Sequence, residues 1–520
     1  MPLEELGSRS EELGVRSEEL GVRSEELGVR SEELGVRSEE LGVRSEELGV
    51  RSEELGVRSE ELGVRSESAV RLLASGWLDS KAREGVQFRH AVWPGGFGPQ
   101  PAQDPPAYML WLASQTKDEA LGGRLRELSK EVVASLPEGA TGVDGISHVW
   151  QPAGALLYGN LDALVRRAGP RARQLAERLA DGTDTYTPKQ GGPDYASTLG
   201  ASHCNGFTAI AAEDMLRSAT LTGDEDAIRA ALAVLDKMTG HYAKTVPRGA
   251  QPWEMPLHTP DILASARLVR CYVLGYLLSG NAAYLEQARY WAWTGVTMVY
   301  LTNPTQGKVG PYATIGVIGA TNWEAPNWIG QPVQWCGLVY AAALNDLARV
   351  DAEGGPWKRI ASGITLAGLQ MTFPIDDPHG RGGLLPDFFL LREQVSDGPA
   401  INPGTLQASL AEAFGKTPLY TVTRLDGGML LHLPGEGREE LGVRSEELGV
   451  RNRGGEGTAR VKVTTWAEGE YRALLTRVPR PPSSVTWDGK PIEARFIEEA
   501  KVLVLTLKGS GVLEIKRNQE

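Results

Sequence analysis

The chain has 520 residues, 41% of them hydrophobic and 23% charged, with a formal net charge of −13. Residues 1–67 hold nine Arg and nineteen Glu, so the body carries 45 basic and 48 acidic side chains and is close to neutral. A near-neutral body argues against a nucleic-acid partner, which demands a basic face, and three scattered cysteines (Cys204, Cys271, Cys336) argue against a disulfide framework or a CxxC zinc site.

From Arg9 to Val64 the heptad RSEELGV occurs eight times unchanged. Its apolar residues do not form a coiled-coil seam: Leu13 and Val15 are two apart and Leu20 follows five later, where three-then-four spacing is required. Each unit also carries a Gly, which costs a helix interior ~1 kcal/mol relative to Ala. The segment 1–67 cannot bury a face and is expected to be disordered or frayed helix. The same unit returns as REELGVRSEELGVR at residues 438–451, which reads as a repeated DNA element translated in frame. Residues 68–104 are expected to be a linker or the remnant of an upstream domain. No apolar run approaches the ~20 residues of a membrane span, and no basic-then-apolar leader is visible.

From 105 to 415 helical runs alternate with Gly-, Pro- and Trp-rich connections. The apolar spacing i, i+3, i+4 predicts five helix pairs and half of a sixth. The second is read as QPAGALLYGNLDALVRRAG followed by RARQLAERLAD, split at Pro170; the half pair is PGTLQASLAEAFG. Short turns such as LTGDED and LSGNAA join the members of a pair, offering a Gly stop and an Asp or Asn start. Connections between pairs are long, at 182–203, 241–258, 299–330 and 373–402. Tight turns at one end and long loops at the other describe helical hairpins in a ring whose long loops converge on one cleft. Beyond Thr417 the pattern changes to period two, predicting a β-sandwich over 416–520 interrupted by the 438–451 insert.

Five or six helical hairpins followed by a β-sandwich resemble the six-hairpin glycosidase superfamily, whose (α/α)6 toroid carries many glycoside hydrolases and polysaccharide lyases. The resemblance rests on WEMPLHTPDILASARLVRCYVLGYLLSG, ARYWAWTGVTMVYL and the loop GATNWEAPNWIGQPVQWCG, and covers roughly residues 100–520. It implies a mainly α fold with a small all-β domain and a carbohydrate substrate; the residues themselves give no ligand spacing for a metal, no cofactor motif, and neither the basic face of a nucleic-acid partner nor the apolar run of a membrane one. It would also suit an exported protein.

Glycosidic hydrolysis uses two carboxyl groups flanking the bond, and sugar C–H faces stack on aromatic rings. Two Trp-Glu dipeptides, Trp253–Glu254 and Trp323–Glu324, sit in successive long loops, each soon followed by Pro. Glu254 and Glu324 are therefore the leading catalytic candidates, with Asp261 and Asp387 beside them. Asp261 has an alternative reading as a helix-start acid. Trp150, His203, Trp253, His258, Tyr312, Trp323 and Trp328 are the candidate sugar-binding residues. Asp144 and His148 lie in the first long connection. A lyase on the same fold would draw on His203, Asn205, Tyr312 and Arg248 as base and neutraliser. A non-catalytic carbohydrate-binding protein is the third alternative. Motifs for phosphate loops, HExxH zinc sites and GxSxG elbows are absent.

Overall fold

The computed structural model describes residues 66–187, 194, 197, 202–252, 255–319, 321, 328–352, 354–425, 428–435 and 458–516. The heptad tract up to Arg65 and the 438–451 insert lie outside them.

Thirteen helices are described, in chain order α1 (Ser66–Leu78), α2 (Pro105–Gln115), α3 (Glu119–Ser135), α4 (Ala153–Leu157), α5 (Leu161–Arg178), α6 (Asn205–Thr220), α7 (Glu225–Tyr242), α8 (Ile262–Ser279), α9 (Ala282–Val296), α10 (Gln334–Val350), α11 (Trp357–Met371), α12 (Gly404–Gln407) and α13 (Leu410–Ala413). The starts follow the capping chemistry in the sequence. Asp118, Asn160, Asp224 and Asn281 each accept a hydrogen bond from a first-turn N–H, which satisfies donors a helix cannot pair internally. The α8 stop is Gly280, at φ 70°, a left-handed cap that glycine adopts without steric cost.

Helix contacts run α2–α4–α5–α6–α8–α10–α12 and back to α2, closing a ring, while α3, α7, α9 and α11 pack outside their hairpin partners. Helix α8 is long and apolar enough to cross a membrane, but most of it is buried against α6, α9 and α10. Core packing accounts for its composition.

Three expectations are corrected. Residues 68–104 are no linker: α1 packs on α2 and α3 with Val70, Leu73, Ala74 and Trp77 buried, and the Trp77 indole donates to Gln407 of α12 at 2.8 Å. Helix α1 thus braces the closure between α2 and α12. The second hairpin turns at Tyr158–Asn160 and α5 runs on through Pro170, which faces solvent. Proline removes one helix hydrogen bond, but the buried Val165, Ala168, Ala172 and Leu175 hold the flanking turns in place. The loop 373–402 is partly a sheet, in which β5 (Val395–Ile401) pairs with β4 (Leu385–Leu390) on one side and with β3 (Ala91–Val92) on the other. The two upstream strands β1 (Arg83–Glu84) and β2 (Gln87–Phe88) form a small hairpin.

The C-terminal region is two antiparallel sheets. One has the order β12 (Ala494–Ile497), β13 (Val502–Lys508), β9 (Glu470–Leu475), β7 (Gly428–His432), β6 (Thr421–Leu425). The other has the order β11 (Lys490–Pro491), β10 (Ser484–Trp487), β14 (Gly511–Lys516), β8 (Thr458–Val463). This region docks at the short-turn end of the ring: Gly223 N–H and the Thr222 hydroxyl, in the α6–α7 turn, both donate to the Ala500 carbonyl. The opposite end belongs to the long loops.

Candidate active site

The long loops meet at the start of α8. Asp261 caps that helix, its Oδ1 accepting from Ala264 N–H at 2.8 Å and its Oδ2 from Ala250 N–H at 3.1 Å. Its own N–H donates to Pro247, Ile262 N–H to Gly316, and Ile318 N–H to Pro260. These bonds stitch the loop before α8 to the loop before α10, so the connections carrying the two Trp-Glu dipeptides are neighbours. Gly249, at φ 71°, permits the tight path, since a Cβ there would lie 1.9 Å from the Leu257 carbonyl oxygen. Asp261 is fully buried and burial pushes its pKa up to about 6, against opposing backbone hydrogen bonds. It anchors the loops and is closed off from any substrate, which corrects its candidacy as a catalytic group. Trp253, Glu254, Trp323 and Glu324 lie outside the described residues.

Asp387 is placed differently. It sits on β4 where the pairing with β5 slips between Pro386 and Phe388, a bulge that re-aims a side chain. Its Oδ1 accepts from the Trp335 indole and its Oδ2 from the Trp328 indole, both at 3.0 Å. Burial raises its pKa above the ordinary carboxylate value, and the two indole donors, which favour the ionised form, offset part of that rise. The carboxyl is half-buried, whereas the two tryptophans that hold it are almost fully buried.

From those tryptophans a row of rings leads outward. Trp328 and Trp335 meet at 5.8 Å, Trp335 stacks on His148 at 4.1 Å with the planes 23° apart, His148 meets His90 at 4.6 Å, and His90 meets Phe97 at 4.9 Å. Phe97 and nearby Trp93 are exposed, so the row runs from the interior to the surface. Thr405, in α12, fixes His148 by accepting its backbone N–H and pairing with its Nδ1, each at 3.0 Å. Burial, then the neighbouring His90 and Arg267, hold His148 well below the usual imidazole pKa, so the ring is neutral at physiological pH. Arg267, on the second turn of α8, reaches Glu213 of α6 at 3.1 Å.

The remaining candidates divide. Trp328 belongs to the ring row. Trp150 lies elsewhere, under the Arg217 guanidinium at 4.8 Å and against Tyr420. His203 bonds the Tyr242 hydroxyl at 2.9 Å and lies beside α6. His258 is half-buried in the loop before α8. Tyr312, at φ 61°, is buried with its ring against the bare backbone of Gly363. The lyase candidate Asn205 is committed too, donating to Thr245 and Val246 and accepting from Arg248 N–H. Asp144 is exposed at the surface. Missed by sequence reasoning were Trp335, read as a helix start, and His90, placed in a supposed linker. The signal for Trp335 was its place in the same aromatic stretch as Trp328. None existed for His90.

No family model matches the chain, and no curated protein matches it. Among solved structures it is similar to an unsaturated glucuronyl hydrolase from Bacillus sp. GL1, described as responsible for the degradation of glycosaminoglycan, at 14% identity and TM-score 0.39, over 67% of this chain and 96% of that one. It is also similar to a family 76 glycoside hydrolase from a bovine Bacteroides thetaiotaomicron strain, at 12% identity and TM-score 0.36, over 67% and 77%. A D-mannose isomerase follows at 10% identity and TM-score 0.34, over 67% and 97%. Each is a similarity of chain path at low identity, and the residues described above, rather than these likenesses, bear the chemistry.

Proposed function

We propose that the chain is a carbohydrate-active enzyme that hydrolyses a glycosidic bond of an oligo- or polysaccharide at the long-loop end of the ring. The observation that carries this reading is the Asp387 carboxyl, held by two indoles at the inner end of a row of aromatic rings that opens to solvent. The rings suit the C–H faces of pyranoses. A carboxyl whose pKa is raised by burial suits protonation of the leaving oxygen. The second carboxyl that the reaction needs is taken to be Glu254 or Glu324, the acids of the two Trp-Glu dipeptides in the sequence. Neutral His148 offers a hydrogen bond to a sugar hydroxyl without adding charge.

The test is reducing-sugar release from a panel of neutral and acidic oligosaccharides. With an active substrate in hand, Asp387→Asn is expected to lower kcat at least ~100-fold with little change in KM. One of Glu254→Gln and Glu324→Gln should do the same. Full turnover by Asp387→Asn overturns the assignment.

A further inference from the structure

At the short-turn end of the ring, beneath β6 and β7, the interior is not filled. A cavity of about 80 Å³ is bounded by the ends of α6, α8 and α10 and by the sheet, and a second of about 20 Å³ adjoins it, sharing Trp150, Arg270, Asp346, Arg349 and Tyr420. One water needs roughly 10–15 Å³ of such space, so the larger cavity has room for about six non-hydrogen atoms.

Its two sides differ. Leu274, Leu277, Met429 and Leu431 make an aliphatic wall, and facing them stand Arg217, Arg270 and Arg349 with Glu213 and Asp346, while Glu412 of the adjoining cavity pairs with Arg349. The acids are already engaged. Glu213 is bonded by Arg267 at 3.1 Å and Asp346 by Arg349 at 2.7 Å. The Arg217 guanidinium stacks on Trp150, and its contacts with Glu213 and Asp214 are 4.0 and 3.9 Å, too long for hydrogen bonds. Of the buried polar atoms around the two cavities with no hydrogen-bond partner among the described residues, Thr476 Oγ1 and Gln151 Nε2 can donate to an anion, whereas Asn345 Oδ1 and Glu412 Oε2, at the smaller cavity, only accept. Native interiors rarely leave such groups unmet.

We infer that this cavity is a second ligand site, separate from the sugar cleft, which takes a small carboxylate with a short aliphatic tail. The planar fork of Arg217, held flat by Trp150, matches the two oxygens of a carboxylate, and the aliphatic wall takes the tail. This gives Trp150 a role outside the sugar cleft, and the inference does not depend on the hydrolase reading.

Isothermal titration of the full chain with sodium butanoate, 1-butylamine and 1-butanol at matched ionic strength decides it. Saturable binding of butanoate alone is expected, weakened at least tenfold by Arg217→Met, partly restored by Arg217→Lys, and unchanged by Asp387→Asn. Equal responses to the three compounds, no saturable response to butanoate, or loss of binding in Asp387→Asn each overturns the proposal. The first result would mean unspecific apolar uptake, the second a site for water alone, and the third binding in the cleft. Should Arg217→Met fail to fold, the charge series on the unaltered chain still decides.

Discussion

Two aspartates show how context sorts identical side chains. Asp387 and Asp261 are both raised in pKa by burial, but Asp387 keeps some exposure and is held by side-chain donors, whereas Asp261 is sealed and held by backbone ones. Replacing Trp328 by Phe deletes a donor that favours the ionised form of Asp387, so its pKa should rise further. If Asp387 is the proton donor, the alkaline limb of the activity profile moves to higher pH in Trp328→Phe, and an unmoved limb would remove it from that role. For Asp261 the consequence is stability. Its folded pKa of about 6 exceeds the ordinary 3.8, so the folded state binds the proton more tightly, and stability is lost as pH rises from about 4 through about 6. The loss is of order 3 kcal/mol at most. Urea unfolding of the natural chain and Asp261→Asn, at about pH 4.5 and about pH 7.5, should show that the natural chain alone loses this increment. Parallel behaviour of the two would mean that the loops' backbone donors keep Asp261 ionised throughout.

The helical hairpins α2–α3, α6–α7, α8–α9 and α10–α11 were legible in the sequence because an amphipathic face, a cap and a short turn are all local signals. What was not legible depended on distant partners. Helix α1 has a respectable apolar stripe, but nothing local says that it belongs to the ring, since its partner Gln407 is 330 residues away. The β4–β5 bulge that aims Asp387 is a property of pairing, not of either strand. Proline 170 gave a misleading local signal, because tertiary packing carried the helix through it. The asymmetry of short turns and long loops anticipated that the long loops gather at one end, while the two glutamates read from the Trp-Glu dipeptides stand outside the described residues. A direct check on α1 is truncation. A chain beginning at Ser66 should unfold at the same temperature as the full chain, and one beginning at Ser80 should lose cooperative unfolding, since burying a Trp such as Trp77 alone is worth about 3–5 kcal/mol. Equal melting of the two truncated chains would show that α1 is dispensable to the ring.

Across the whole molecule, the C-terminal sheets are fastened to the ring by contacts of unequal worth. Arg472 of β9 donates to the Ala155 and Leu156 carbonyls at the end of α4, where a helix leaves acceptors unpaired. Arg126 pairs with Glu468 out in solvent. Arg472→Met should cost about 1–3 kcal/mol in urea unfolding and Arg126→Met under ~1 kcal/mol; the reverse order would mean that surface charge, not the helix terminus, holds the sheets. The seating of α1 against the last inner turn has a different consequence, in time. Gly76 brings α1 so close to the last inner turn that a Cβ there would sit 2.6 Å from the Pro403 ring. During synthesis that surface does not exist until Pro403 and Gln407 have been made. At ribosomal speeds of about 5–20 residues per second, roughly 15–65 s separate the appearance of Trp77 from that of its partner. Through that interval the nascent chain is an open crescent with an apolar seam at each tip, the form in which a second crescent or a chaperone would find it.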